Sequence, residues 1–190
     1  MDKKFIISGS PHIYAKDNVQ RIMLDVIIAL LPATLGSFYL FGFGAVRVFF
    51  VSVVSCLVFE YLIQKFLLKQ KPTINDLSAI VTGMLLAFNV PSNLPTWVVI
   101  IGSLIAIGIG KMVFGGLGQN LFNPALVSRV FLLISFPVYM TSWPKPIESA
   151  RQLTDVVTGP TPLGILKETG SFAAATQTGE IPTYTNMMLG

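Results

Sequence analysis

The sequence of 190 residues is poor in charge and rich in apolar side chains. Its charged residues, 13 Lys and Arg plus 9 Asp and Glu, make up 12% of the chain, whereas apolar residues make up 53% and the mean hydropathy is +0.70. Soluble domains carry about 25% charged residues, so we expect an all-α, polytopic membrane protein rather than a water-soluble domain. The single Cys56 and the single His12 exclude an intramolecular disulfide, a four-thiolate metal site and a histidine-based metal site.

Two long apolar segments come first in chain order. Met23–Tyr39 carries one charge, Asp25, and is long enough to span the hydrocarbon of a bilayer with a slight tilt. A break at Gly42 and Gly44 separates it from Val46–Leu68, which is predicted to be the second membrane helix.

The third predicted helix is short. Thr73–Asp76 has the form of a capping box, and the apolar stretch that it opens ends at Asn89 and Pro91. About 13 residues are more typical of a half helix than of a full span, although a tilt or a thinner bilayer would permit a crossing. Two further spans are predicted at Thr96–Phe114, which is rich in small residues, and at Phe122–Tyr139.

The predicted helices divide the chain into regions. Residues 22–139 would form the membrane unit, residues 1–21 a cytoplasmic N-terminal segment, and residues 140–186 a polar extracytoplasmic loop. Residues 187–190 resemble the start of a further helix, as in a truncated subunit. The positive-inside rule assigns to the cytoplasm the basic residues Lys3, Lys4, Lys16, Arg21, Lys65, Lys69, Lys71 and Lys111. By alternation of the crossings, the polar loop then lies outside.

The densest chemical signal is the stretch GGLGQNLFNPA before the fifth helix. Gly115 and Gly116 would let the backbone approach a ligand closely, and the amides of Asn120 and Asn123 offer the donors and acceptors that an isoalloxazine or pyrimidine-like edge requires. The alternative is structural: the glycines form a tight turn and the asparagines cap a helix that has Pro124 in its first turn.

A second signal lies in the predicted loop. In the sequence DVVTGPTP, which runs from Asp155 to Pro162, each residue before a proline is biased towards extended backbone. The hydroxyl of Thr161 would therefore lie on an extended segment, as expected of a residue that accepts a modification. A proline-rich turn in which Asp155 binds the backbone is the alternative.

Three charged residues in the predicted helices also have alternative roles. Asp25 could belong to an ion path or form an i,i+4 pair with Arg21. Arg129 could face the bundle and neutralise an anionic ligand, or extend towards the interface. Glu60 is interpreted as a solvated or lysine-paired residue at the end of its helix.

Four motifs in this order resemble the D subunit of the Rnf ion-translocating electron-transport complex and the homologous B subunit of the sodium-pumping NADH:quinone reductase. They are SGSPH from Ser8, the helix start at Asp76, the GGLGQNLFNPA stretch and the DVVTGPTP loop. The resemblance runs from about Ser8 to Gly190. It implies a fold of two inverted repeats, each with a broken or half helix, of which this chain holds one.

The resemblance also implies two flavins. In that family a loop threonine carries FMN through a phosphoester that a flavin transferase installs. The matching residue is Thr161, and Asp155, Thr158 and Gly159 match the surrounding motif. A second, non-covalent flavin, riboflavin or FMN, would be held by the residues Asn120, Asn123, Gly115, Gly116 and Arg129.

The resemblance therefore implies a flavin-carrying, multi-pass subunit of the plasma membrane, within a ferredoxin:NAD+ oxidoreductase that couples electron transfer to Na+ or H+ transport. Expected partners are a second flavin-bearing subunit, iron–sulfur subunits, the flavin transferase and lipid, and no nucleic acid. The sequence lacks a G-x-G-x-x-G fingerprint, so we do not expect the chain to act on NADH alone. The alternative is a passive channel or secondary transporter with Asn123-Pro-Ala125 as a pore element.

Overall fold

The computed structural model describes residues 18–69, 72–144, 158–159 and 162–170, and this part of the chain is mainly helical. One helical stretch in it, Val19–Leu67, is long and apolar enough to cross a membrane. Three shorter apolar helical stretches follow it: Ser78–Asn89, Thr96–Met112 and Pro124–Ser135. The predicted apolar, helical character is confirmed, whereas the predictions for Asp155, Thr161 and the two termini lie outside the described residues.

Helix α1, Val19–Leu62, changes direction sharply at one residue. Gly42 has φ 61° and ψ −145°, a conformation that lies far from the helical region and that side chains with a Cβ rarely adopt. The rings of Phe38 and Phe49 lie 5.4 Å apart, although a straight helix would separate these positions by about 16 Å along its axis. The predicted break at Gly42 is therefore confirmed, and it joins two helical arms without an intervening loop.

Two of the helices end in π-helical turns. Helix α1 continues through Ile63–Leu67, and helix α3, Thr96–Ile105, continues through Ala106–Met112. The second continuous stretch matches the predicted fourth span to within two residues. π-Helical turns are rare and often occur at functional sites. The side chains on both turns are therefore candidates for a functional role.

Helix α2, Ser78–Asn89, has 12 residues, so it is about 18 Å long and well short of the roughly 30 Å of bilayer hydrocarbon. The prediction of a short third helix is confirmed, but the predicted capping box is wrong. A carboxylate oxygen of Asp76 accepts hydrogen bonds from the amide (2.9 Å) and hydroxyl (2.6 Å) of Ser78. Thr73 does not cap α2, because the chain passes through a 3₁₀ turn and through Leu77, at φ 62°, before α2 begins.

The predicted fifth span is divided into α4, Pro124–Ser135, and α5, Pro137–Thr141. Between them Phe136 has φ −133° and ψ 57°, outside the helical region. Pro137 explains the break, since proline disfavours helical backbone at the preceding residue and has no N–H to donate.

Part of the predicted loop belongs to the described residues. Strands β1, Trp143–Pro144, and β2, Thr158–Gly159, form an antiparallel pair in which Trp143 lies opposite Gly159. Helix α6, Pro162–Thr169, follows β2. The amino-acid sequence indicates neither the strand pair nor this helix.

Glycines permit close helix crossings. A Cβ at Gly102 would lie 2.8 Å from a methyl group of Leu132, and a Cβ at Gly110 would lie 2.8 Å from the Cα of Pro124. The small residues of the fourth predicted span therefore allow close approach, as the sequence indicates.

The packed helices have two chemically different ends. The polar end lies where α1 ends, α2 begins and α3 ends, and it consists of Glu60, Gln64, Thr73, Asp76, Ser78 and Lys111. The aromatic end lies near Gly42, the turn between α2 and α3, and β1, and it consists of Phe41, Phe49, Phe88, Trp97, Phe136, Tyr139 and Trp143.

Candidate functional site

A buried ion pair forms the centre of the polar end. The Lys111 ammonium lies 2.8 and 2.7 Å from the two carboxylate oxygens of Glu60, and the two residues are 2% and 0% exposed. The third ammonium donor reaches the hydroxyl of Ser78 at 2.5 Å. All three donors of the lysine are thus used, as a buried ammonium requires.

Hydrogen bonds extend this pair across the polar end. The Gln64 amide nitrogen donates to Glu60 at 3.2 Å and to the Thr73 hydroxyl at 2.7 Å, while its oxygen accepts from the Thr73 backbone N–H at 2.7 Å. Ser78 in turn donates to Asp76. The network connects α1, the segment before α2, α2 itself and the π-helical end of α3.

Sequence reasoning did not find this network. The sequence indicates that Lys111 lies on the cytoplasmic side and predicts that Glu60 is a solvated or lysine-paired residue at a helix end. The predicted pairing of Glu60 with a lysine is confirmed. The alternative of a solvated Glu60 is wrong, because its side chain is fully buried. The sequence contains one signal of this pair: Glu60 and Lys111 each lie near the predicted cytoplasmic end of an apolar segment. Sequence alone does not show that these two ends meet in the fold.

Beside the network lies a pocket of about 390 Å³, which we call the amide pocket. Lys111 and Ser78 contribute to its wall, together with Asn120 and Asn123 from the GGLGQNLFNPA stretch. Its remaining lining residues are Met23, Val81, Thr82, Leu85, Leu117, Leu121, Phe122 and Pro124. The predicted pair of asparagines is therefore brought together at one pocket, with a hydroxyl and an ammonium nearby.

The two asparagines have different roles. Asn123 is the N-cap of α4, where its side-chain oxygen accepts from the Ala125 N–H at 3.0 Å and Pro124 occupies the first turn. This is the structural alternative raised by the sequence. In contrast, the side-chain oxygen of Asn120 is buried and has no hydrogen-bond partner among the described residues. A buried acceptor without a partner is costly, so a ligand donor at Asn120 would be favourable.

The glycines form the turn that leads to the amide pocket. Gly115 and Gly116 have φ of 103° and 97°, so a side chain at either position would strain the backbone. A Cβ at Gly115 would also collide with the side-chain oxygen of Gln119. Both glycines are therefore explained by the turn, and neither lines the pocket.

Arg129 lies apart from the amide pocket. Its guanidinium donates to the side-chain oxygen of Asn89 at 3.0 Å, and Asn89 donates to the Leu85 carbonyl at 2.8 Å. The predicted contact of Arg129 with a ligand beside Asn120 does not fit this arrangement, because Arg129 instead binds the end of α2. Asp25 is exposed on α1.

The aromatic end contains a second pocket, of about 230 Å³, which we call the aromatic pocket. Its lining residues are Ser37, Phe41, Ala45, Val48, Phe49, Ala87, Phe88, Val90, Ser92, Trp143 and Pro144. Trp97 packs edge to face against Phe136 and Tyr139 at 5.2 and 6.1 Å but does not line the pocket. Planar rings with a few hydroxyl groups suit an aromatic or otherwise flat ligand.

Thr158 and Gly159, from the predicted modification motif, form β2 and pair with β1 beside the aromatic pocket. Asp155 and Thr161 lie outside the described residues. Among the residues that the structure describes, no group of three His, Cys, Asp or Glu side chains could hold a metal ion.

Comparison with known proteins gives a consistent set of similarities. The profile of the NQR2, RnfD, RnfE family matches residues 6–190. The chain is 48% identical over 184 residues to the D subunit of the Na(+)-translocating ferredoxin:NAD(+) oxidoreductase complex of Acetobacterium woodii, a match that covers 97% of this chain and 54% of that protein. It is 44% identical over 188 residues to the D subunit of the proton-translocating ferredoxin:NAD(+) oxidoreductase complex of Clostridium ljungdahlii, with 98% and 55% covered.

A shorter match is to the D subunit of the ion-translocating oxidoreductase complex of Actinobacillus succinogenes, at 47% identity over 146 residues, or 75% of this chain and 41% of that protein. The chain spans about half the length of the curated relatives it matches.

Proposed function

Since the chain belongs to the NQR2, RnfD, RnfE family, we propose that it forms the flavin-carrying membrane part of an ion-translocating ferredoxin:NAD+ oxidoreductase, the Rnf complex. The observation that carries this proposal is the 44–48% identity, over nearly the whole chain, to the D subunits of two such complexes. One of these relatives is named as Na+-translocating and the other as proton-translocating. The proposed transported ion is therefore Na+ or H+.

The proposal assigns a covalent FMN to Thr161, joined through a phosphoester. Asp155, Thr158 and Gly159 would shape the acceptor loop. Support comes from the β1–β2 pair, which fixes the backbone at Thr158 and Gly159, and from α6, which begins at Pro162. Backbone fixed on both sides of the acceptor favours its presentation to a transferase.

A second, non-covalent flavin is assigned to the amide pocket. Asn120 offers the buried oxygen that still needs a donor, and a flavin ring edge carries an N–H that can supply one. Bound flavins would supply one- and two-electron redox chemistry. Asn120 would orient the ring edge, and the apolar wall formed by Leu85, Leu117 and Leu121 would exclude water.

The polar end is assigned to the cytoplasmic side of the plasma membrane and the aromatic end to the opposite side. Lys65 and Lys69 near the polar end agree with the positive-inside rule. The Thr161 loop would then be extracytoplasmic and accessible to an exported flavin transferase. Partners would be the other Rnf subunits, including iron–sulfur subunits and a second flavin-bearing subunit.

In-gel flavin fluorescence tests the covalent assignment. The full-length subunit, coexpressed with its complex and flavin transferase, should give a fluorescent band on a denaturing gel, and Thr161→Val should abolish the band while Thr158→Val retains it. A wild-type protein without covalent flavin would overturn the redox role and favour the passive channel or transporter.

Cysteine labelling tests the sidedness independently. In a Cys56→Ser background, Thr176→Cys should react in intact cells with a membrane-impermeant maleimide. The matched variant Lys69→Cys, at an exposed position near the polar end, should react only after permeabilisation. The reverse pattern would reject the extracytoplasmic loop.

A further inference from the structure

The amide pocket has one charged residue in its wall among the residues that the structure describes, and this residue is Lys111. The assignments above give Lys111 no role towards the flavin. The Lys111 ammonium donates to the hydroxyl of Ser78, which also lines the pocket, at 2.5 Å. Glu60 accepts from the same ammonium at 2.7 Å but does not line the pocket. The order of these contacts places the positive charge between the pocket wall and the carboxylate.

The position of Lys111 is fixed by three separate contacts. Its backbone carbonyl accepts a hydrogen bond from the Gly116 N–H at 3.1 Å, which ties it to the glycine turn that leads to the pocket. The neighbouring Gly110 allows the π-helical end of α3 to lie against Pro124, at the start of α4. The ion pair with Glu60 is the third contact. Together these contacts hold the ammonium beside the amide pocket.

The charges near the pocket differ in how strongly water screens them. Lys111 and Glu60 are 2% and 0% exposed, so water screens the field of their pair only weakly. Asp76 is partly exposed, and water screens its carboxylate more strongly. Helix α4 adds the positive end of its dipole at Pro124, because its N-cap, Asn123, is neutral and its first turn has no acid. The buried pair and α4 therefore both contribute a positive electrostatic potential in the pocket.

A positive potential has different consequences for oxidised and reduced flavin. The oxidised isoalloxazine ring is neutral, and the gain of two electrons and one proton leaves the ring with one negative charge. A nearby ammonium stabilises the charged form and has little effect on the neutral form. Because the redox potential measures the free-energy difference between the two forms, a fixed positive charge beside the ring raises that potential.

We propose that Lys111 raises the redox potential of the non-covalent flavin in the amide pocket, through the charge of its buried ammonium beside the ring that Asn120 orients. This inference rests on the non-covalent flavin of the proposed function. It adds the residue that makes reduction of that flavin more favourable. Lys111 transfers neither an electron nor a proton, and it acts through its charge alone. Glu60 holds the ammonium in place and compensates its charge while the flavin is oxidised.

The midpoint potential of the bound flavin tests this role. The protein is the full-length subunit with Thr161→Val, which removes the covalent flavin of the proposed function, and the probe is riboflavin. Lys111→Met with Glu60→Leu removes both charges of the buried pair. The equilibrium between reduced and oxidised riboflavin should then shift about tenfold towards the oxidised form, which lowers the midpoint potential of a two-electron couple by about 30 mV. Lys65→Met, which removes an exposed ammonium near the polar end, should leave the potential unchanged.

Riboflavin affinity separates an electrostatic role from a structural one. A pocket that is only distorted by the double substitution would bind oxidised and reduced riboflavin equally weakly, and its midpoint potential would equal that of the unsubstituted pair. An unchanged potential with riboflavin still bound would therefore overturn the role of Lys111 and leave the amide-pocket flavin intact. A subunit with the native pair that binds no riboflavin would overturn both. If the double variant does not accumulate, Lys111→Gln with Glu60→Gln is read by the same two measurements, because it removes both charges and keeps side chains that form hydrogen bonds.

Discussion

The polar end and the aromatic end hold the same helices together through different kinds of interaction. At the polar end a fully buried acid and base satisfy one another through directed hydrogen bonds, and removal of either partner leaves a charge without compensation. At the aromatic end rings meet edge to face, and each contact is a small, replaceable contribution. We therefore expect substitutions at the polar end to act in an all-or-none manner and those at the aromatic end to act in small steps.

The largest expected effect tests this contrast directly. Lys111→Met should lower the free energy of unfolding by about 3–5 kcal/mol, because it leaves the Glu60 carboxylate buried without its partner. Titration of the purified protein with a denaturing detergent measures the change. Lys65→Met is the matched control, since Lys65 is exposed and its ammonium contacts Tyr61 and Phe66.

A double variant sharpens the same prediction. Lys111→Met combined with Glu60→Leu removes both charges and should recover most of the stability lost in Lys111→Met. Equal stability of Lys111→Met and Lys65→Met would contradict the structural importance of the buried pair.

Close backbone contacts occur at both ends and should respond alike. Gly110→Ala at the polar end and Gly44→Ala at the aromatic end each place a Cβ 2.8 Å from backbone atoms, of Pro124 and Ser92 respectively. Overpacking of this kind costs about 1–3 kcal/mol. Gly36→Ala is the control, because no atom lies within 4 Å of its added Cβ, and it should be neutral or slightly stabilising in the same titration.

Asn120 lies in the amide pocket beside the polar end, and its substitution should raise the stability of the protein while it weakens ligand binding. Asn120→Leu removes a buried acceptor that lacks a partner among the described residues, so the flavin-free protein should gain about 1 kcal/mol. The same variant should lose the non-covalent flavin, measured by extraction and absorbance. Asn123→Asp keeps the N-cap of α4 and serves as the comparison; unchanged flavin content in Asn120→Leu would remove the amide-pocket assignment.

At the aromatic end, the expected loss of stability is far smaller than that of Lys111→Met. Trp97→Leu loses two edge-to-face contacts, with Phe136 and Tyr139, at a half-exposed position. A loss of about 0.5–1.5 kcal/mol is expected in the detergent titration. A loss as large as that of Lys111→Met would contradict the proposed difference between the two ends.

The sequence predicted the features that depend on local chemistry. Apolar length located the helical stretches, Pro124 and Asn123 indicated the start of α4, and Gly42 marked the break in α1. These features follow from the backbone preferences of single residues and from segment length, which a sequence displays directly.

What the sequence did not show depends on which distant segments meet. Glu60 and Lys111 are 51 positions apart, and their pairing follows from the packing of α1 against the end of α3. The division at Phe136 was missed although Pro137 signals it, because the apolar run continues through it. The pairing of Trp143 with Gly159 joins two residues whose own segments carry no strand pattern.

The conformation of Gly42 has a genetic consequence. Every missense change of a single nucleotide in a glycine codon introduces a residue with a Cβ, and at φ 61° and ψ −145° each of these residues is strained. The next residue, Phe43, is exposed and does not have a positive φ, so an apolar replacement there introduces no such backbone strain. The turn that brings Phe38 to Phe49 therefore depends on a single codon, in which every missense change of one nucleotide strains the backbone.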